Sequence, residues 1–192
     1  QFRNPTEYGS PKPETATFTA TGGASILLSN KPSRIRVVNG LIGTIVDLNQ
    51  KDAFNMGAAM AGAAADTLYK YLTETNTKVS DYDLILTGDL GKYGKEILKD
   101  LMKNEYNIDL SKNYNDCGTM LYDLEEQKEV MAGGSGPVCS ALVNYSTILK
   151  DLMENKYKKV LLIATGALFS PIMLYQKENI LSIANLICLE AI

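Results

Sequence analysis

Two short stretches combine small residues with groups that can do chemistry. One is Thr87-Gly88-Asp89, which closes the apolar run Leu84-Ile85-Leu86 in "DYDLILTGDLG". The other is Gly133-Gly134-Ser135-Gly136 in "AGGSGPVCSA". A strand ending in glycine and handing over to a helix is a usual ligand corner in an α/β protein; Gly88 and Asp89 could equally do no more than make the turn and cap the helix. Glycines ahead of a helix let backbone N–H groups face an anion, which the helix start favours, and a loop shaped only for packing has the same composition. As a dinucleotide fingerprint the second stretch fails, because the third glycine is missing and no strong buried strand leads directly into it.

Other chemistry is narrowed by what the chain lacks. It has no histidine, and its three cysteines, Cys117, Cys139 and Cys188, contain no CxxC pair. Zinc and a disulfide framework are therefore disfavoured, and no metal site is expected. With no histidine, a serine or cysteine nucleophile has no customary base. Cys139 reads as a small buried hydrophobe inside a helix. Cys117 reads as exposed, with Asp116 raising rather than lowering its thiol pKa. Asp81 and Asp83 flank a strand entry and read as solvated.

The elements that must position these groups follow from periodicity. Ala61, Ala65, Leu68 and Leu72 recur at spacings of four, three and four and mark a helix with a small-residue face. Asp83 to Thr87 reads as a strand, followed by a helix to about Asn104. "NYNDCGTMLYDLEEQKEV" is mixed and reads as loop-rich. Pro137 suits a first helical position with Gly136 near the cap, and Val138, Ala141, Leu142, Tyr145, Leu149 and Leu152 continue at helical spacing. "KKVLLIATGALFSPIM" and "LSIANLICLEAI" give two β-rich segments with a turn around Pro171 or beyond. Earlier, "ATGGASILLS" and "RIRVVNGLIG" flank the turn signal Asn30-Lys31-Pro32-Ser33 and predict a hairpin. The alternation of strand and helix predicts an α/β fold with a mixed, mostly parallel sheet and helices on both faces.

At 192 residues, 45% hydrophobic and 21% charged, the chain has the size and composition of one globular domain. A net charge of −3 without a basic block gives no electrostatic footprint for nucleic acid. The apolar, uncharged run from Val160 to Gln176 is broken by Gly166, Ser170 and Pro171, so it reads as strand and turn rather than a membrane span. The polar opening "QFRNPTEYGSPKPETA" carries three of the six prolines and neither an initiator methionine nor a signal-like apolar region; it reads as a chain entered mid-stream.

In order along the chain, "QFRNPTEYG", "TATGGASILLS", "AADTL", "DYDLILTGDLG", "ILKDL", "NDCG", "AGGSG" and "ATGALFSP" resemble the C-terminal half of the thiolase superfamily, and within it a branch of spore proteins. The resemblance implies a thiolase-like α/β fold, the C-terminal half of a layered αβαβα molecule. Residues 1–45 would be the end of the N-terminal half and the crossover, and residues 46–192 the C-terminal half. It also implies an upstream half containing the "GACST"-like segment of the superfamily's nucleophilic cysteine, a segment this sequence does not contain. Ketoacyl synthases carry one catalytic histidine at the position of the Thr87-Gly88-Asp89 corner, and a second histidine or an asparagine in the loop matching Gly133 to Gly136. Neither is present here.

The implied function is non-catalytic binding of pyridine-2,6-dicarboxylate (dipicolinate), free or as its calcium chelate, with no cofactor. The implied setting is peripheral to the spore inner membrane, as part of a transport assembly with other stage V sporulation A membrane proteins, acting in sporulation and germination. A homodimer is implied as well. The expected ligand-binding residues are Thr87, Gly88, Asp89, Gly133, Gly134, Ser135 and Gly136, with Asp89 repelling the dianion unless Ca²⁺ or a proton intervenes. The alternatives are an acyltransferase of the thiolase or ketoacyl-synthase type, with its catalytic residues in the upstream half or a partner, and a structural scaffold.

Overall fold

The computed structural model describes residues 13–168 and 170–192. "QFRNPTEYG" lies outside the described residues, as does Phe169 of "ATGALFSP". In chain order the elements are β1 (Phe18–Thr19), β2 (Ile35–Leu41), α1 (Met56–Thr75), β3 (Leu84–Thr87), α2 (Gly91–Tyr106), β4 (Tyr114–Asp116), α3 (Cys117–Met120), β5 (Gly134–Ser135), α4 (Cys139–Val143), a π-helical segment (Asn144–Ile148), α5 (Leu149–Met153), β6 (Lys159–Ala167), α6 (Pro171–Tyr175) and β7 (Ser182–Ala191).

Five strands form one sheet in the order β2-β7-β6-β3-β4, and β1 pairs with β5 separately. β3 lies parallel to both β4 and β6, while β7 runs antiparallel to β6 and β2. Four strands thus point one way, and β7 alone is reversed. The reversal follows from its connection, because only the short α6 separates β6 from β7 and no crossover helix returns the chain to the starting edge. β2 is an edge strand of this sheet.

Alternation along β3 supplies both cores. Ile85 faces one side with Leu161, Ile163 and Leu186, against Leu68 of α1 and Leu98 of α2. Leu84 and Leu86 face the other side with Val160 and Leu189, against Cys139, Ile148 and Leu152. Helices therefore cover both faces, and the mixed α/β class holds.

α1 is capped by Asn55, whose side chain accepts from the Ala58 N–H, and ends at Asn76 in the left-handed conformation. Where α1 passes α2 there is room only for glycine: a Cβ on Gly57 would come 2.3 Å from the Leu90 carbonyl oxygen, and one on Gly94 would come 2.6 Å from the Gly57 Cα.

Four expectations are corrected. No hairpin forms across Asn30 to Ser33: residues 20–29 have no strand partner, and β2 pairs with β7 from Ile35 opposite Ala191 to Leu41 opposite Leu186. Gly22 and Gly23 are poor strand formers, and β7 offers β2 a full-length partner. Pro137 is not the first helical residue, since α4 begins at Cys139 after a turn closed by the Cys139 N–H to Gly136 carbonyl bond, with Gly136 at φ +96°. The helical phase beyond it also differs. The π-helical turn advances the register, so Ile148 is buried while Tyr145 is exposed. Finally, Cys117 is buried, because "NYNDCGT" is not a loop but β4 running into α3.

Candidate functional site

β3 and β4 end side by side, with Thr87 in register with Asp116. Asp116 is fully buried and accepts four hydrogen bonds: from the Thr87 hydroxyl (2.7 Å), the Leu90 N–H (2.9 Å), the Gly91 N–H (2.9 Å) and the Gly118 N–H (2.9 Å). Leu90 and Gly91 open α2, whose first amides have no partner within the helix. The Lys92 N–H donates to the Ala132 carbonyl. The anion that the α2 start favours is therefore supplied by the chain itself. Thr87 is equally committed, its hydroxyl lying 2.8 Å from the Tyr114 hydroxyl as well. Burial pushes the Asp116 carboxyl up to about 6, against the hydrogen bonds from Thr87, Leu90 and Gly91 that favour its charge.

Asp89 joins the two stretches singled out in the sequence. Its carboxylate accepts from the Gly136 N–H (3.0 Å) and the Thr165 hydroxyl (2.9 Å), while its own N–H donates to the Thr165 oxygen (3.2 Å). Burial raises the Asp89 pKa, and the bonds from Gly136 and Thr165 oppose that rise. Gly88 packs under Thr165, where a Cβ would sit 2.8 Å from the hydroxyl oxygen. The corner and the glycine loop are thus brought together, held by a carboxylate rather than by a ligand.

Within the loop, Gly133 (φ +114°) donates to the Val130 carbonyl and accepts from the Phe18 N–H, and the Ser135 carbonyl accepts from Ala20. Gly134 and Ser135 pair with Phe18 and Thr19. Gly134 has Leu121, Tyr122 and the Cys139 sulfur 3.1 to 3.2 Å from where a Cβ would stand. A valine at Gly134 would therefore disturb packing before it tested any anion. Both nearby thiols are buried and raised, Cys117 well above the ordinary range and Cys139 to about 12, chiefly by burial.

A cleft of about 1240 Å³ opens beside this corner on the sheet face of Leu86, Leu162 and Ile187, reaching Thr87, Gly88 and Pro137. A separate cavity of about 810 Å³, lined by Asn76, Lys78 and Asn113 among others, lies at the opposite strand ends, away from these residues. Among the described residues no cluster of three or more His, Cys, Asp or Glu is placed to hold a metal, and no helix is long and apolar enough to cross a membrane.

Sequence reasoning treated Asp116 only as a neighbour of Cys117 and left Thr165 unmentioned. The available signal was Asp116 itself, a carboxylate between two glycine-rich turns; apart from nearby Gly118 its partners come from the Thr87 to Gly91 stretch, 25 to 29 positions away, so their identity was not legible.

A family model described as stage V sporulation protein AD matches residues 1–190. Stage V sporulation protein AD of Bacillus subtilis (strain 168) is 46% identical over 190 residues, covering 99% of this chain and 55% of that protein. The chain thus spans about half the length of the curated relative it matches. Both Asp89 and Asp116, with the loops they hold, lie inside the matched residues, and the chain belongs to the stage V sporulation protein AD family.

Proposed function

We propose that this chain contributes the C-terminal, thiolase-like half of a non-catalytic subunit that binds dipicolinate at the spore inner membrane, in an assembly that moves the ligand during sporulation and germination. The observation that carries the reading is the state of the corner inside a sporulation-family chain. Where acyl-transfer relatives place a base, Thr87 is locked to Asp116 and Tyr114, and the neighbouring thiols are held protonated by burial. The cleft beside Gly88 and Pro137 is open and lined largely by apolar residues, a surface suited to the faces of a planar aromatic ring. The ligand carboxylates would meet the end at Gly88 and Pro137, behind which the Gly136 amide is already engaged by Asp89.

The half-molecule reading is supported by the apolar surface left open. Leu27 is 91% exposed and Ile42 87%, with Leu28, Ile45 and Val37 also exposed. Leu27, Leu28 and Val37 share the cleft wall, and apolar surface grouped in this way is usually covered in the finished assembly. The upstream half, a second copy, and membrane partners of the stage V sporulation A group are its proposed covers.

Titration calorimetry with dipicolinate, on the protein at the length of its relative, is the test. Saturable binding with one site per chain is expected; absence of heat and of competition by unlabelled ligand would sink the reading. Turnover of an acyl-thioester above background would favour the acyltransferase instead. Replacing Cys117 or Cys139 with serine should leave the binding constant unchanged and lower stability by about 1 to 3 kcal/mol, because each buried sulfur becomes a hydroxyl in an apolar setting. A folded serine variant that loses binding would show that a thiol takes part.

A further inference from the structure

Asp89, Gly136 and Thr165 meet through one carboxylate, and each has a sequence neighbour in the cleft wall: Gly88, Pro137 and Ala164. Adjacent Cα atoms lie about 3.8 Å apart, so the three residues that the carboxylate joins stand one residue along the chain from the wall. Two oxygens serve two donors, and neither donor is a cation. The charged and titratable groups packed around it are Asp116 on β4, whose charge opposes its own, and the thiols of Cys117 and Cys139 on α3 and α4. The amine of Lys95 on α2 donates to the Asn115 side chain at 2.7 Å, and its charge acts on Asp116. On β6 the contacting group is the neutral Thr165.

An anion arriving at Gly88 and Pro137 therefore meets a like charge that nothing in its shell neutralises. Three remedies exist: exclusion of the anion, a bridging cation, or a proton. Both oxygens of Asp116, the second carboxylate here, are already engaged by four donors, so the donor set does not offer a divalent cation a paired seat. A proton is easily housed. With Asp89 protonated on the oxygen facing Thr165, the acid O–H donates to the Thr165 oxygen, whose hydroxyl hydrogen turns away, and the other oxygen keeps the Gly136 N–H. We infer that an anion entering the cleft at Gly88 and Pro137 is bound together with a proton on the Asp89 carboxylate. This rests on the dipicolinate reading above. It makes Asp89 a positioning residue that also sets the pH dependence of binding, with the tie between corner and loop kept in both protonation states.

Asp89→Asn copies the protonated state: its amide N–H₂ can donate to the Thr165 oxygen while its carbonyl accepts from Gly136. The test is dipicolinate calorimetry at about pH 7 in buffers of different ionisation heat, where the ligand carboxyls are ionised and any proton taken up comes from the buffer. Net proton uptake on binding is expected in the parent, with affinity falling by up to about tenfold per pH unit as pH rises. The Asn variant should bind at least as tightly at the higher pH, with no uptake and a flat pH profile. Binding without uptake in the parent, or uptake unchanged in Asp89→Asn, overturns the inference and leaves the dipicolinate reading standing. Binding that requires added Ca²⁺ and takes up no proton overturns it in favour of a bridging cation. No binding at any pH in either protein overturns both.

Discussion

Replacing Gly94 with valine is expected to lower stability by about 3 kcal/mol or more and to leave little folded protein at elevated temperature. α1 and α2 cross with Gly57 facing Gly94, and a Cβ on Gly94 would lie 2.6 Å from the Gly57 Cα and 2.9 Å from its carbonyl carbon. Both contacts are backbone, so no side chain can swing away to make room. The helices would have to separate. They carry Leu68 and Leu98, both fully buried in the same core as Ile85 and Leu161. Overpacking a fixed core costs about 1 to 3 kcal/mol, occasionally more, and β-branching adds a helix penalty of a few tenths of a kcal/mol. Gly94→Ala should cost less than the valine, because one methyl needs a smaller separation. Chemical denaturation of the parent and both variants checks this. Equal midpoints for the parent and Gly94→Val would mean that the helices are not held at this distance.

That crossing explains what periodicity can and cannot reveal. Ala61, Ala65, Leu68 and Leu72 announced α1, and the small residues announced a close neighbour, because both signals are local. The neighbour's identity was not local. Likewise the Asn30-Lys31-Pro32-Ser33 turn signal was read as a hairpin, whereas β2 is decided by a partner about 150 positions away at Ala191 and Leu186. In the helix after Pro137, a single π turn moved the buried position from Tyr145 to Ile148; no residue type marks such a turn.

The candidate site divides in the same way. Gly88, Asp89 and the Gly133 to Gly136 loop stand out as glycines and polar residues at the ends of apolar runs. What joins them does not stand out, because Asp89 reaches Gly136 across 47 positions and Thr165 across 76. The α2 start shows the same limit of local reading. A helix start favours an anion, and here Asp116, rather than a ligand, is that anion. The cleft on the other face is where a ligand has room.

The second large effect is expected at Asp116. In Asp116→Ala the N–H groups of Leu90, Gly91 and Gly118 and the Thr87 hydroxyl lose their acceptor in a buried setting. At about 1 to 3 kcal/mol for each unsatisfied group, with partial relaxation, the loss should exceed about 4 kcal/mol and release the corner together with the α2 start. Asp116→Asn is the informative partner. With its N–H₂ at the oxygen facing Thr87, it can donate to the threonine oxygen and keep its carbonyl for Gly91 and Gly118, leaving only the Leu90 N–H unpaired. The opposite rotamer would orphan two amides, so the first is preferred, at about 1 to 3 kcal/mol.

The pH dependence separates charge from hydrogen bonding. Burial raises the Asp116 carboxyl from 3.8 to about 6 in the folded chain, so between those values the native state holds more protons than the unfolded state. Stability therefore falls as pH rises through that window, and above it the penalty is fully present. Asp89, also raised, acts with the same sign. The Asn variant carries no charge at 116 and loses that part of the fall, so its deficit relative to the parent should be largest near about pH 4 and shrink towards about pH 7. Denaturation midpoints at a series of pH values measure this directly. A deficit independent of pH would show that Asp116 is ionised with the same ease in the folded and unfolded chains, its four hydrogen bonds fully offsetting the burial.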